Sequence, residues 1–79
     1  MNKLSEMKEG EMVEVISFDG NYLPNSMQTE LLELGVFPGS KMKLVYRNRS
    51  LDKMIVVIGD TKIGIRLSDA NFIHTKPAV

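Results

Sequence analysis

The chain has 79 residues, with ten acidic and ten basic side chains and no cysteine. A chain of this length forms one domain with a small core, and without cysteine it has no disulfide, thiolate metal site or cysteine nucleophile. Zero net charge argues against general nucleic-acid binding, which depends on an excess of positive charge.

Residues 1–79 are therefore expected to form a single domain, with residues 75–79 as a short tail. No apolar run approaches the roughly 18 residues that a bilayer-spanning helix needs. The first residues show no signal-peptide pattern. We expect a cytoplasmic protein without direct membrane insertion.

The first predicted strand covers roughly residues 12–17, where Val13 and Val15 alternate with the polar Glu14. Asp19-Gly20-Asn21 then predicts a turn.

The apolar period changes over residues 25–34, where Met27, Leu31 and Leu34 recur at i, i+4 and i+7. This spacing predicts a helix of two to three turns. Asn25 or Ser26 is its predicted N-cap, with Asn25 and Gln28 spaced as a capping box. Gly35 is the predicted left-handed residue that ends the helix.

Strands and turns follow from residue 40 onward. The alternation in residues 40–47 predicts two faces, with Met42, Leu44 and Tyr46 on one and Lys41, Lys43 and Arg47 on the other. Further strands are predicted over residues 53–58, 61–67 and 72–75, with a Gly59-Asp60 hairpin turn and a helical turn capped by Ser68. Five short antiparallel strands, with one short helix between strands 1 and 2, predict a mainly β fold, a small SH3-like barrel.

The charges are unevenly distributed along the chain. Residues 1–40 hold seven acidic and two basic side chains, and residues 41–66 hold seven basic and two acidic ones. Either the second segment forms a basic face for an acidic partner, or the two segments neutralise each other across strands. We favour neutralisation.

The residue types needed for catalysis or metal binding are sparse. His74 is the only histidine, it is predicted to point outward, and no metal-ligand spacing surrounds it. The carboxylates are scattered, and no phosphate-cradling glycine motif is present. We expect no enzymatic activity, no cofactor and no metal site.

The continuous apolar run at residues 53–58 is the most informative feature for binding. If Ile55 and Val57 point into the barrel, then Met54, Val56 and Ile58 point out and form an exposed apolar patch. We expect this patch to contact a partner or a second copy, unless the helix or the amino-terminal turn covers it. Lys41, Lys43 and Arg47 are the basic side chains predicted to join the contact.

Several segments together resemble the ferrous iron transport protein A (FeoA) family. They are Leu4-Ser5, Lys8-Glu9-Gly10, the run from Leu31 to Lys41 (LLELGVFPGSK) and the run from Gly59 to Ala70 (GDTKIGIRLSDA). The resemblance implies a small cytoplasmic SH3-like protein, accessory to a membrane ferrous iron transporter whose cytoplasmic part is a GTPase. It implies action by protein contact, without transport or chelation of iron by the protein itself.

Two positions depart from the family pattern. Glu30 stands where family members often carry a basic residue, and the loop at residues 49–53 lacks the usual glycine and proline. Two other functions stay open at this point. One is a nucleic-acid-binding barrel that uses the basic segment 41–53, and the other is a metal sensor that uses His74.

Overall fold

A computed structural model describes residues 2–78 of the chain. It contains six strands and two helices, with a 3-10 turn at Leu4–Glu6: β1 Asn2–Lys3, β2 Met12–Phe18, α1 Asn25–Glu33, β3 Lys41–Asn48, β4 Lys53–Ile58, β5 Thr61–Ile65, α2 Leu67–Ala70 and β6 Ile73–Pro77. Among these residues, no helix is long and apolar enough to cross a membrane.

The six strands form one antiparallel sheet in the order β1-β6-β2-β3-β4-β5. The mainly β, SH3-like prediction is confirmed, with α1 between the first and second predicted strands. The sheet has one strand more than predicted because Asn2 and Lys3 pair with Thr75 and His74 of β6.

The sheet encloses a single apolar core. Its buried hydrophobic side chains come from both ends of the chain and from nearly every element: Leu4, Met7, Val13, Val15, Leu23, Leu31, Val36, Met42, Leu44, Met54, Val56, Ile63, Ile65, Leu67, Ala70 and Ile73.

A β-bulge at Val45 decides which face the second half of β3 presents. Leu44 lies opposite Val56, but Tyr46 lies opposite Ile55, so Val45 is an extra residue in β3. Each later side chain of β3 is therefore on the face opposite to the one that simple alternation gives. The predicted faces are wrong for Tyr46, which lies on the outer side, and for Arg47, which pairs with the buried Met54.

The end of α1 is as predicted, but its start is not. Gly35 has φ 94°, and the Val36 amide donates to the carbonyl of Leu31 at 2.8 Å. This is the bond of a Schellman motif. At the start, Pro24 is the N-cap and no side chain caps the helix. Gln28 instead donates from Nε2 to the carbonyl of Leu23 at 2.8 Å.

Gly35→Ala is expected to lower the free energy of unfolding by about 1–2 kcal/mol, because a Cβ disfavours the left-handed conformation. Gly64→Ala is the matched control, since Gly64 lies in β5 without a positive φ and a Cβ there would meet no atom within 4 Å. We expect Gly64→Ala to leave stability within about 0.5 kcal/mol of the parent. Urea unfolding of the two variants tests this, and equal losses would contradict the conformational explanation.

Candidate functional site

The apolar run in β4 has the opposite phase to the prediction. Met54 and Val56 are fully buried, and Ile58 is half-buried and packs against the core. Val56 lies between Leu44 of β3 and Ile63 of β5, which are both buried. A continuous apolar run does not show which residues face inward, so the prediction of an exposed Met54, Val56 and Ile58 patch was wrong. The predicted self-association through these three side chains is therefore not supported.

Arg47 has a structural contact that occupies its guanidinium. Its Nε and Nη2 atoms donate to the carbonyl oxygen of Ser5 at 3.0 and 2.9 Å. Its backbone amide donates to a carboxylate oxygen of Glu9 at 3.0 Å. Arg47 therefore ties the 3-10 turn to the end of the barrel, because the bulge at Val45 has moved it to that side.

The side chains on the outer side of β3, β4 and β5 form a surface that we call the lysine face. Its charged members are all exposed: Lys41, Lys43, Lys53 and Lys62. One cross-strand row joins Lys43, Val57 and Lys62, and Met12 of β2 lies next to Lys43 in the same row. The neighbouring row contains Tyr46, Ile55 and Gly64.

Carboxylates do not neutralise the lysine face, except at its margin. Glu14 lies opposite Lys41 in the sheet and forms an ion pair with Lys76 at 3.9 Å. Among residues 2–78, none of the four lysines of this face has its ammonium nitrogen within 4.0 Å of a carboxylate oxygen. The expected neutralisation across strands is thus limited to Glu14, and the basic segment presents a cationic surface.

A second surface lies where α1 meets the turn that follows it. We call it the turn surface; its apolar members are Phe18, Leu32, Phe37 and Pro38, which line an open cleft of about 310 Å³. Leu32 is 56% exposed and Phe37 is 42% exposed. Large exposed side chains that line one cleft are typical of a binding site.

The turn surface is held in place by a buried hydroxyl. Ser40 donates from Oγ to the carbonyl of Gly35 at 2.7 Å and accepts from the Phe37 amide at 3.1 Å. The residues between Gly35 and Ser40 are thereby fixed before any partner binds. Sequence reasoning treated this segment only as a helix stop and turn. The signal that could have revealed it was the apolar Phe37 placed beside Pro38 in a turn.

A further open cleft, of about 330 Å³, lies near the 3-10 turn and α2. Most of its polar groups bond one another: Asp52 accepts from Ser68, Arg47 donates to Ser5, and Ser5 donates to Asn71. These contacts join segments distant in sequence, so the cleft has a structural role that explains its polar lining.

His74 is half-buried in β6, opposite Lys3 and Ser17. Within residues 2–78, no group of three or more histidine, aspartate or glutamate side chains is placed to hold a metal ion. A metal-sensing role for His74 therefore receives no support from neighbouring ligands.

Comparison with known proteins identifies the family. The family model of the FeoA domain matches residues 2–77. The chain belongs to the FeoA family. Membership in this family implies an accessory role in ferrous iron uptake. The search of curated proteins found no match.

Solved structures agree with the FeoA fold. A FeoA protein from Chlorobium tepidum is 26% identical, with a TM-score of 0.87 over 99% of this chain and 71% of that chain. An iron uptake regulatory protein (FeoA) is 19% identical, with a TM-score of 0.83 over 98% of this chain and 97% of that one. A manganese-dependent transcriptional repressor shares the fold at 14% identity, with a TM-score of 0.87 over 98% of this chain and 36% of the repressor.

Proposed function

We propose that this FeoA-family protein is a non-enzymatic, cytoplasmic accessory of ferrous iron uptake that binds the cytoplasmic GTPase part of the ferrous iron transporter. The match of the FeoA model to residues 2–77 carries the proposal. The family domain fills the described chain, and the contact is therefore sought on the surfaces of this barrel.

The turn surface is the part of the barrel best suited to a protein partner. Its cleft is lined mainly by apolar side chains with the neutral Asn25, Gln28 and Thr29 at its edge, which is the composition of an interface core with a polar rim. Leu32 and Phe37 project from a helix end and a braced turn. Binding there costs little ordering of the backbone.

Leu32→Gln is expected to weaken binding of the isolated GTPase part by about tenfold, since a central apolar contact contributes more than 1 kcal/mol. Glutamine keeps the helix propensity close to that of leucine, and Leu32 is already exposed, so the unfolding midpoint should stay unchanged. Isothermal titration calorimetry with GDP and with a non-hydrolysable GTP analogue measures the affinity and any dependence on the bound nucleotide.

Leu51→Gln is the matched control because Leu51 is 64% exposed but lies in the β3–β4 loop, outside the turn surface. It should bind like the parent. Equal weakening by both variants, or full binding by Leu32→Gln, would remove the turn surface from the proposal. If the parent protein binds neither the GDP-bound nor the GTP-analogue-bound GTPase part, the proposed contact with the GTPase is itself wrong.

A further inference from the structure

The lysine face gathers four exposed lysines on a chain whose net charge is zero. It presents Lys41, Lys43, Lys53 and Lys62 together, whereas α1 carries Glu30 and Glu33 and no basic residue. We propose that the lysine face docks on the anionic surface of a phospholipid bilayer. This goes beyond contact with the transporter and does not depend on it.

Lysine, the basic residue of this face, suits an anionic surface whose charges are not in a fixed geometry. Among residues 2–78, the four unpaired cations of the face are lysines, and Arg66 beside Lys53 at its end is paired with Asp69 at 3.5 Å. Lysines act as flexible point charges, whereas recognition of one phosphate in a fixed geometry favours the planar fork of arginine. Lys43 and Lys62 lie two strands apart, or about 10 Å. This spacing is comparable to the Debye length at physiological salt, so the charges act together on an extended layer of head groups.

The apolar side chains of the face are aliphatic, apart from Tyr46. Val57 lies between Lys43 and Lys62, Ile55 lies in the next row, and Met12 is 46% exposed at the edge. Aliphatic side chains ringed by lysine suit the boundary between head groups and acyl chains. A single-stranded nucleic acid needs aromatic platforms. The face has only Tyr46, which is half-buried and accepts from the Asn48 side chain at 3.0 Å.

The expected binding is weak and reversible. Each lysine near an anionic leaflet contributes roughly a fivefold preference, so four lysines give a preference of several hundredfold over a neutral bilayer. A second attachment would make this binding tighter, because two weak contacts made together give a higher overall affinity than either one alone. The turn surface is a separate part of the barrel and is available for that second contact.

The double variant Lys43→Glu/Lys62→Glu tests the proposal in sedimentation with vesicles of 40% phosphatidylglycerol and 60% phosphatidylcholine. The parent should bind at 50 mM NaCl, be released at 500 mM, and not bind vesicles of pure phosphatidylcholine. The variant should bind at least 25-fold more weakly, by the fivefold contribution of each lysine.

The double variant Lys3→Glu/Lys8→Glu changes the net charge equally. Both of its lysines are exposed but lie outside the rows of the lysine face. Its affinity for the anionic vesicles should be within about twofold of that of the parent.

A site-specific readout comes from Met12→Trp, since the chain contains no other tryptophan. Its fluorescence should shift to shorter wavelength with the anionic vesicles and stay unchanged with the neutral ones. Three results would overturn the proposal. They are failure of the parent to bind anionic vesicles at 50 mM NaCl, equal weakening by the two double variants, and equally tight salt-dependent binding to a mixed oligonucleotide.

Discussion

Val56→Glu is expected to leave the protein unfolded, whereas the same substitution at the adjacent Val57 leaves it folded. Val56 is fully buried between Leu44 and Ile63. A carboxylate there loses the burial of the valine and has no partner, which costs at least 4 kcal/mol. A domain of this length has a total stability of only about 4–12 kcal/mol, so the cost of the buried carboxylate is of the same order as the whole stability.

Val57 provides the matched control for this experiment. It is half-buried on the lysine face, with Lys43 and Lys62 on the neighbouring strands. Glutamate is a poorer strand former than valine, at a cost within about 1 kcal/mol, and two cross-strand lysines offset part of that cost. Circular dichroism shows whether each variant is folded, and urea unfolding measures its stability. A folded Val56→Glu protein with a disrupted Val57→Glu protein would mean that β4 has the reverse phase.

Asp52→Ala is expected to lower the free energy of unfolding by about 1.5–4 kcal/mol through two separate effects. The Asp52 carboxylate accepts from the Ser68 amide at 2.9 Å and from its hydroxyl at 2.8 Å, so it caps the start of α2 from a distant loop. Loss of a cap costs about 0.5–2 kcal/mol. Asp52 also has φ 51°, and an alanine in the left-handed region costs a further 1–2 kcal/mol.

Two further substitutions separate these effects. In Asp52→Gly the glycine adopts the left-handed conformation without strain and only the cap is lost. The free energy of unfolding should therefore fall by about 1 kcal/mol. Asp52→Asn tolerates the left-handed backbone and keeps an oxygen acceptor, and it should be the least destabilised of the three. Chemical unfolding of all three variants measures their free energies of unfolding and gives the order of their stabilities. An alanine variant as stable as the asparagine variant would contradict the capping role of Asp52.

The sequence was sufficient for the features that local patterns determine. The helix stop at Gly35 and the Gly59-Asp60 hairpin were predicted, since each depends on a backbone conformation that glycine adopts easily. In the structure, Gly59 has φ 59° at the first central position of the two-residue turn, as a type II′ turn requires. The five predicted strands are present for a similar reason, because turn residues mark most of their ends. The last strand has no such mark at its end, and pairing with β2 extends it to Pro77, so the prediction of a tail from residue 75 was wrong.

The features that were missed depend on contacts between distant segments. The bulge at Val45 exists only relative to β4, so the alternation of β3 could not reveal that Arg47 turns toward Ser5. The cap on α2 comes from Asp52, 16 residues before Ser68, while the sequence suggested Ser68 itself. The phase of β4 is set by its buried neighbours on β3 and β5, and a run of five apolar residues gives no sign of it.

The candidate contact surfaces were predicted only in part. Lys41 and Lys43 are exposed on the lysine face, and among residues 2–78 neither forms an ion pair. The contact proposed for them is now with the bilayer and no longer with the protein partner. The apolar members proposed beside them had to be exchanged for Ile55 and Val57, their neighbours in β4. The turn surface was hidden because Leu32, Phe37 and Phe18 come together only when α1 and its turn are folded against β2.

A nuclear magnetic resonance titration of the isotope-labelled protein with the isolated GTPase part of its transporter, with and without nucleotide, is the decisive measurement. We predict contiguous shift changes around Leu32, Phe37 and Phe18, with Lys43 and Lys62 unaffected. Shift changes confined to the lysine face would show that the partner uses the surface assigned here to the bilayer. Unchanged spectra at saturating concentration in every nucleotide state would contradict a direct contact between the two proteins.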